Sequence, residues 1–173
     1  MKSNLDHDNS ATAGILESSF LNVGDARDVG ENIRARTHPH CMACSQTNTE
    51  GLKLKFHLSV DSSVTACFKF SRQYESYRGI LHGGILSMIM DDSMTNCMFA
   101  YGHVAVTTDF CVQFRHPVAT DKQAIVRAWI TYSTPPFHEL KAEIVQNGQI
   151  KTIATGRFVE QPQLLQKANS QTY

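Results

Sequence analysis

The segment from Gly83 to Ala100 is the strongest constraint on how this chain folds. It is the one long stretch without β-type alternation, and on a helical wheel of about 100° per residue its apolar side chains surround the axis almost completely. A helix that is apolar on all sides is buried rather than laid on a surface. The sequence therefore predicts one long central helix that the rest of the domain covers.

Alternating apolar and polar residues predict strands on both sides of this helix. The alternation covers residues 52–60 and 64–70 before the helix, separated by a tight turn at Asp61-Ser62-Ser63, and residues 104–115, 121–133, 138–147 and 150–160 after it. Asn147-Gly148 is typical of a two-residue hairpin, because both residues tolerate positive φ. We therefore predict an α+β domain in which an antiparallel sheet of five to six strands wraps around the helix.

Length and composition fit one domain with short extensions. The chain has 173 residues, of which 42% are hydrophobic and 18% are charged. We expect an N-terminal extension over residues 1–40 that is partly helical or mobile, a domain over residues 41–160, and a flexible tail over residues 161–173. Within the extension, apolar spacing favours a short helix from Ala11 to Val23, and residues 24–50 are typical of loops and short helical turns.

The charge balance excludes several classes of partner. Sixteen Lys and Arg residues balance sixteen Asp and Glu residues, so the chain lacks the positive excess that nucleic-acid binding requires. No apolar run approaches the ~20 residues that cross a bilayer, which predicts no membrane insertion. The first ten residues are polar and lack the apolar core of a signal peptide. We therefore expect the protein to be located in the cytoplasm.

Five cysteines form an odd set, which predicts reduced thiols. Cys41 and Cys44 follow two histidines, His38 and His40, in a short loop. A structural zinc needs four ligands, and no second C-x-x-C or H-x-x-x-H follows. His38 and His40 could complete the set, but their spacing is tight and Pro39 restricts the backbone. Structural cysteines are therefore the favoured interpretation, and we predict no metal and no cofactor. A metal or redox module at this pair is the alternative.

Asp91 and Asp92 lie in the middle of the predicted buried helix. An isolated buried charge costs several kcal/mol, so such carboxylates are usually paired, hydrogen-bonded, protonated or functional. The structural interpretation is that these carboxylates pair with Arg78 or Arg115. The functional interpretation is that at least one of them belongs to an active site.

His82-Gly83-Gly84 opens the helix and favours function. Two glycines at a helix N-terminus expose backbone N–H groups to a carbonyl or phosphate oxygen, as an oxyanion hole requires, and Asp91 is then a candidate base or nucleophile. Eight residues separate Gly83 from Asp91, which is about 12 Å along a helix. One helix cannot bring both groups to one carbonyl, so we predict a two-fold dimer with two composite sites.

These motifs resemble the PaaI-like hotdog-fold acyl-CoA thioesterases, of the 4-hydroxybenzoyl-CoA thioesterase superfamily. The resemblance covers roughly residues 40–160. It rests on Asp91 nine positions after His82, on residues 41–56, which resemble a C-x-x-C entry to the first strand, on residues 106–117, which end in F-x-x-P, and on the closing hairpin at residues 140–144, Gly148 and 154–158.

The resemblance implies a hotdog fold, a homodimer or homotetramer, and hydrolysis of a CoA thioester. Asp91 matches the family's catalytic carboxylate, as general base or nucleophile, and Gly83 matches the glycine whose N–H polarises the thioester carbonyl. His82 matches the histidine that shapes the turn. Thr107 lies where relatives carry Ser or Thr to position water.

The remaining site residues are predicted to contact the substrate. Gly84 adjoins the polarising amide, and Ser76 stands where other members carry Asn or Gln. Arg115 and His116 lie where some relatives contact CoA. Met88 is a candidate for the acyl pocket, together with Met94, Met98 and Phe99, although each of these also fits simple core packing. The resemblance assigns no role to Asp92.

Two further alternatives stay open. The nearer one is a hotdog protein that binds an acyl-CoA or acyl carrier without hydrolysing it. A hotdog hydratase would carry an Asp and a His a few residues apart on the helix, and residues 91–96 contain no histidine. His103 and His138 are expected to be hydrogen-bonded structural residues rather than catalytic ones.

Overall fold

The computed structural model describes the backbone of residues 23–170 and the side chains of residues 30–167. Its elements, in chain order, are α1 (Val23–Thr37), β1 (His57–Leu58), β2 (Val64–Phe68), β3 (Glu75–Tyr77), β4 (Ile80–Leu81), α2 (Gly83–Ala100), β5 (Ala105–Phe114), β6 (Ala124–Thr134), β7 (Phe137–Gln146), β8 (Gln149–Glu160) and α3 (Gln163–Ser170). A short 3-10 turn (Arg72–Tyr74) precedes β3.

Six strands form one antiparallel sheet in the order β1-β2-β6-β7-β8-β5, and β3 pairs with β4 in a separate hairpin. Helix α2 packs against β2, β5, β6, β7 and β8. The predicted α+β hotdog architecture, a sheet around one central helix, is confirmed. No helix among residues 23–170 is long and apolar enough to cross a membrane.

The alternation of buried and exposed residues along each strand explains which face of the sheet packs against the helix. Along β7 every second residue is buried, and Leu140, Ala142 and Ile144 are each at most 1% exposed. The β7–β8 turn contains Asn147 at φ 54° and Gly148 at φ 72°, as the predicted two-residue hairpin requires. The hairpin therefore sets the register that turns the apolar side chains of β7 toward α2.

Helix α2 has the predicted bounds but is not uniformly covered. Its C-terminal half, from Ile89 onward, is buried except for Asp91, whereas much of its first turns is half-buried or exposed. This gradient leaves the N-terminus of the helix open on one side, next to the strand β5.

The predicted first strand is mostly unpaired. Residues 54–58 keep the predicted alternation of burial, yet only His57 and Leu58 pair with β2. The amides of Leu52 and Leu54 instead donate to the carbonyls of Met42 and Ala43, at 2.7 and 2.9 Å. Backbone pairing with the loop that contains Cys41 and Cys44 (the cysteine loop) has thus replaced pairing within the sheet.

The N-terminal extension contains a helix, as predicted, but at a different position. Helix α1 covers Val23–Thr37, where loop or short helical turns were expected, and it packs on the end of α2 where a Cβ at Gly30 would lie 3.0 Å from the Ala100 Cα. Helix α3 lies within the predicted tail and packs against α1. Of the predicted helix from Ala11 to Val23, only Val23 lies within the described residues.

Candidate active site

Asp91 and Thr107 meet where helix α2 packs against strand β5. The Thr107 hydroxyl donates a hydrogen bond to Oδ1 of Asp91 at 2.6 Å, and both side chains are half-buried. This distance is in the range of a charge-assisted O–H···O⁻ bond. The pairing of β5 with β8 shifts register between Thr107 and Asp109, and such irregularities re-aim side chains next to functional sites. The contact thus fixes one carboxylate oxygen and leaves the other for chemistry.

The His82-Gly83-Gly84 segment forms the N-terminus of α2. His82 is the N-cap residue with extended backbone, and its Nδ1 accepts a hydrogen bond from the Gly84 amide at 2.8 Å. Because the Gly84 amide already donates to His82, only one of the two predicted glycine N–H donors is free for a ligand. The Gly83 amide, which has no acceptor within the helix, is the remaining donor. Ser87 donates to the Gly83 carbonyl at 3.0 Å and stabilises this turn.

Phe114 is a neighbour of this helix terminus that the sequence analysis did not select. A Cβ added at Gly83 would lie 3.3 Å from the Phe114 ring, although the side chain is still 55% exposed. An exposed aromatic ring beside a donor amide offers an apolar wall to a ligand. The F-x-x-P motif contained the signal, because Phe114 is its first residue.

The other predicted contact residues lie around this region without converging on it. Ser76 is exposed on β3, and Met88 is half-buried one turn before Asp91 on α2. Arg115 and His116 are exposed just after β5, and their amides both donate to the Lys151 carbonyl. Among the described residues, no hydrogen bond or ion pair links these four side chains to Asp91 or Gly83.

A single copy of the chain does not enclose Asp91 and Gly83 together. They are eight residues apart on one straight helix, about 12 Å. A surface cavity of about 240 Å³ exists, but strands β5–β8 line it, through Asp109, Glu139 and Arg157 among others, and it includes neither residue.

Asp92 is the buried carboxylate of the helix, at 6% exposure, and it faces a different cluster. Its Oδ1 lies 3.4 Å from Sγ of Cys41 and 3.7 Å from Nδ1 of His38, while Oδ2 accepts from the Asn96 amide at 3.1 Å. In the described part of the chain, neither aspartate pairs with Arg78 or Arg115. The salt-bridge interpretation is therefore replaced by contacts with sulfur and imidazole.

The titratable groups of this cluster shift one another's pKa values. Burial, together with the nearby Cys41 charge, raises the pKa of Asp92 to about 7. A hydrogen bond from Cys44 is the main reason that the pKa of Cys41 falls to about 3. The same bond, with burial, raises the pKa of Cys44. Negative charge on the Cys41 sulfur is thus stabilised at the expense of its neighbours.

His103 and His138 share Glu160 as a partner. Glu160 lies 2.7 Å from Nδ1 of His103 and 3.1 Å from Nε2 of His138, and the Ser133 hydroxyl is 2.9 Å from the His138 Nδ1. Burial lowers the pKa of His138. Both imidazoles have hydrogen-bond partners, in keeping with the structural role expected for them.

Comparison with known proteins shows what the chain resembles. Residues 78–153 match the model of a family described as the thioesterase superfamily. No curated protein is significantly similar to the chain in sequence.

Solved structures agree with that match. One thioesterase superfamily protein superposes with a TM-score of 0.66 at 16% identity, over 69% of this chain and 63% of its own. The match thus covers less than two thirds of that protein. PaaI of E. coli, from a phenylacetic acid degradation operon, gives 0.58 at 15% identity over 64% and 80%.

A third relative was solved with a ligand. A hypothetical thioesterase protein from Streptococcus pneumoniae TIGR4, solved with coenzyme A, gives a TM-score of 0.58 at 17% identity over 62% of this chain and 87% of its own. Two further structures of that protein carry an aspartate-to-alanine and a threonine-to-alanine substitution, sixteen positions apart. The predicted resemblance to PaaI-like hotdog thioesterases is confirmed.

Proposed function

We propose that this hotdog protein hydrolyses an acyl-CoA or aryl-CoA thioester to the free acid and CoA. The superfamily match and the coenzyme A in the S. pneumoniae structure support this class of substrate. The observation that carries the proposal is the 2.6 Å bond between Thr107 and Asp91. The two residues that were substituted in the S. pneumoniae protein have the same sixteen-residue separation as Asp91 and Thr107.

Asp91 activates the attacking group. As a general base it takes a proton from water while the water oxygen bonds to the thioester carbonyl carbon; as a nucleophile its own oxygen forms that bond, and water then hydrolyses the resulting anhydride. In both routes the C–S bond breaks, and CoA leaves as a thiol once its sulfur is protonated. The Thr107 hydroxyl orients the carboxylate and presents its lone pairs to the attacking water.

The Gly83 amide polarises the carbonyl. Negative charge develops on the carbonyl oxygen in the transition state, and a backbone N–H at the positive end of a helix stabilises it without reorganisation. His82 prepares this donor indirectly, since it caps Gly84 and so fixes the backbone of the first turn. Phe114 borders the same amide and excludes water from it.

The active site is shared between two copies of the chain. Asp91 of one protomer and Gly83 of the other act on one carbonyl, because the ~12 Å between them on one helix is too long for a single site. Strand β5 lies at an edge of the sheet, so one side of its backbone lacks a strand partner. The open side of α2 adjoins this strand, which makes the β5 edge the surface on which a second copy would complete the site.

The predicted contact residues have roles in holding the substrate. Exposed Arg115 and His116 bind phosphates of CoA, since a guanidinium suits phosphate geometry. Met88, half-buried on the same face as Asp91, contacts the acyl group, and Ser76 and Gly84 border the thioester. A homodimer or homotetramer and a cytoplasmic location both stay predictions.

Release of free CoA from a panel of acyl and aryl thioesters tests the proposal. Asp91→Asn is expected to lower kcat by about 10²- to 10⁴-fold, because it removes the base or nucleophile and keeps the size of the side chain. Asp121→Asn, at an exposed position in the turn before β6, serves as the matched control. Wild-type activity in Asp91→Asn would reject hydrolysis through this residue.

Removal of the Gly83 donor is a second, independent test. Proline is tolerated at the first helical position and has no N–H, and His82 already has the extended backbone that precedes proline. Gly83→Pro should lower kcat by about 10²- to 10³-fold. Gly83→Ala keeps the amide and adds a Cβ toward Phe114, so it measures the steric contribution alone. Binding of acyl-CoA without turnover by the wild-type protein would favour the non-catalytic alternative.

A further inference from the structure

Four side chains with metal-binding atoms converge beside the middle of helix α2. We call His38, Cys41, Cys44 and Asp92 the His38–Asp92 cluster. One ligand atom from each residue lies within 4.8 Å of those of the other three. Three of the residues come from the loop after α1, and Asp92 comes from α2, 51 positions after Cys41. The fold thus supplies the fourth ligand that the sequence motif lacked.

Three of the six separations within the cluster are close to the edges of a tetrahedron. Around zinc, with Zn–S near 2.3 Å and Zn–N or Zn–O near 2.0–2.1 Å, neighbouring ligand atoms lie about 3.3 to 3.8 Å apart. Nδ1 of His38 lies 3.6 Å from Sγ of Cys44 and 3.7 Å from Oδ1 of Asp92. Sγ of Cys41 lies 3.4 Å from the same Oδ1. An ion can therefore replace the shared protons with little movement of the side chains.

Neighbouring groups already orient two of the ligands, Asp92 and His38. Oδ2 of Asp92 is held by Asn96, whose own Oδ1 accepts from Arg34 at 3.1 Å, so Oδ1 of Asp92 is left for the cluster. The ring of His38 packs edge-on against Phe99, with centroids 5.0 Å apart. Such outer contacts orient the ligands of protein metal sites.

The cluster combines two sulfurs with one imidazole and one carboxylate. Soft thiolates combined with imidazole select zinc over magnesium or calcium.

We propose that the His38–Asp92 cluster is a closed, four-coordinate zinc site with His, two Cys and Asp as ligands. Four protein ligands leave no open position, which makes the site structural rather than catalytic. The ion would fasten the loop over residues 38–44 to α2 beside Asp91. The proposal departs from the sequence prediction of no metal and is independent of thioester hydrolysis.

The second histidine cluster does not offer a comparable site. Both ring nitrogens of His138 have hydrogen-bond partners, Ser133 and Glu160, and one Glu160 oxygen serves both imidazoles. The cluster also has no sulfur ligand.

Metal analysis and cobalt titration of the full-length protein test the proposal. We expect about one zinc per chain after purification without chelator, and after zinc removal a cobalt complex with a thiolate-to-metal charge-transfer band and tetrahedral d–d bands. Zinc should protect two thiols from a thiol reagent and raise Tm, since it binds the folded state. A protein with neither zinc nor a cobalt band, or with a Cys41–Cys44 disulfide, would overturn the proposal.

Matched variants decide which residues are ligands. Cys44→Ser and Asp92→Asn should weaken cobalt binding at least 10-fold, whereas Cys111→Ser and Asp109→Asn, at exposed positions, should bind as the wild type does. Equal cobalt affinity in Asp92→Asn and Asp109→Asn would overturn the four-ligand site. If Cys44→Ser does not fold, the number of thiols that zinc protects in the wild-type protein decides the point. Two protected thiols would support the site, and zero protected thiols would contradict it.

Discussion

Asp91 and Asp92 are adjacent, yet the helix directs them to different surroundings. Successive residues on an α-helix are about 100° apart, so Asp91 meets Thr107 on β5 and Asp92 meets the cysteine loop. The sequence, once it predicts a helix, gives this angular separation. It could not predict the partners, because these lie sixteen and 51 positions away and only packing brings them close.

The hydroxyl of Thr107 is expected to matter for catalysis. A hydrogen bond to a charged group contributes about 1.5–3 kcal/mol, so Thr107→Val should lower kcat for CoA release by about 10- to 100-fold. Thr107→Ser keeps the donor and should retain most of the activity. Wild-type activity in Thr107→Val, or an equal loss in Thr107→Ser, would show that loss of the hydroxyl donor does not explain the effect.

His82 is expected to stabilise the domain through its cap. His82→Ala removes the acceptor of the Gly84 amide and should cost about 0.5–2 kcal/mol, or a fall in Tm of a few degrees. His82→Asn supplies another good N-cap and should recover most of that loss in a thermal unfolding experiment. A Tm that does not change in His82→Ala would mean that water replaces the cap.

The helices and strands that the sequence predicts well are those whose apolar residues repeat at a regular spacing. Helix α2 and strands β5 to β8 lie close to the predicted ranges, because burial against one another preserves the alternation of their side chains. Strand β1 is shorter than predicted because the amides of Leu52 and Leu54 donate to carbonyls of the cysteine loop. The N-terminal helix was predicted at other residues and α3 was not predicted, because packing between helices, rather than a clear periodicity, stabilises both.

Gly156 should be intolerant of a side chain. It lies in β8 beneath α2, where a Cβ would come within 2.9 Å of the Met94 sulfur and of the Phe158 ring. We expect Gly156→Val to lower the free energy of unfolding by about 1–3 kcal/mol, measured by urea denaturation. Thr155→Val, on the exposed face of the same strand, is the control. Similar losses in both variants would indicate a general effect on the strand instead of overpacking.

At the scale of the whole molecule, the proposed composite site predicts complementation. Asp91→Asn and Gly83→Pro should each be inactive alone, because every dimer then lacks one group in both sites. After equal mixing and exchange of subunits, half of the dimers are mixed and each has one intact site, so about a quarter of the wild-type activity should return. CoA release from the mixture measures it. No recovery despite exchange would place both groups in one protomer.

His138 should make stability depend on pH. Its pKa is lowered from 6.5 in the folded protein, mainly by burial and also by His103, while Glu160 opposes the shift. The unfolded chain therefore binds a proton that the folded chain does not, and the stability present above pH 6.5 falls as the pH drops below it. Urea unfolding at pH 7.5 and 5.5 should show a smaller difference for His138→Gln than for the wild type. An equal difference would assign the pH effect to other groups.

The sequence by itself determined the class of the fold and the helix that carries the candidate chemistry. Periodicity is a local property, so alternating strands, the Asn147-Gly148 turn and the apolar helix from Gly83 could be identified without tertiary contacts. The tertiary structure alone decided that Thr107 bonds Asp91, that Gly84 is engaged by His82, and that Asp92 joins Cys41 and Cys44. These outcomes depend on which distant side chains the packed core brings within hydrogen-bond distance, and linear spacing does not encode that information.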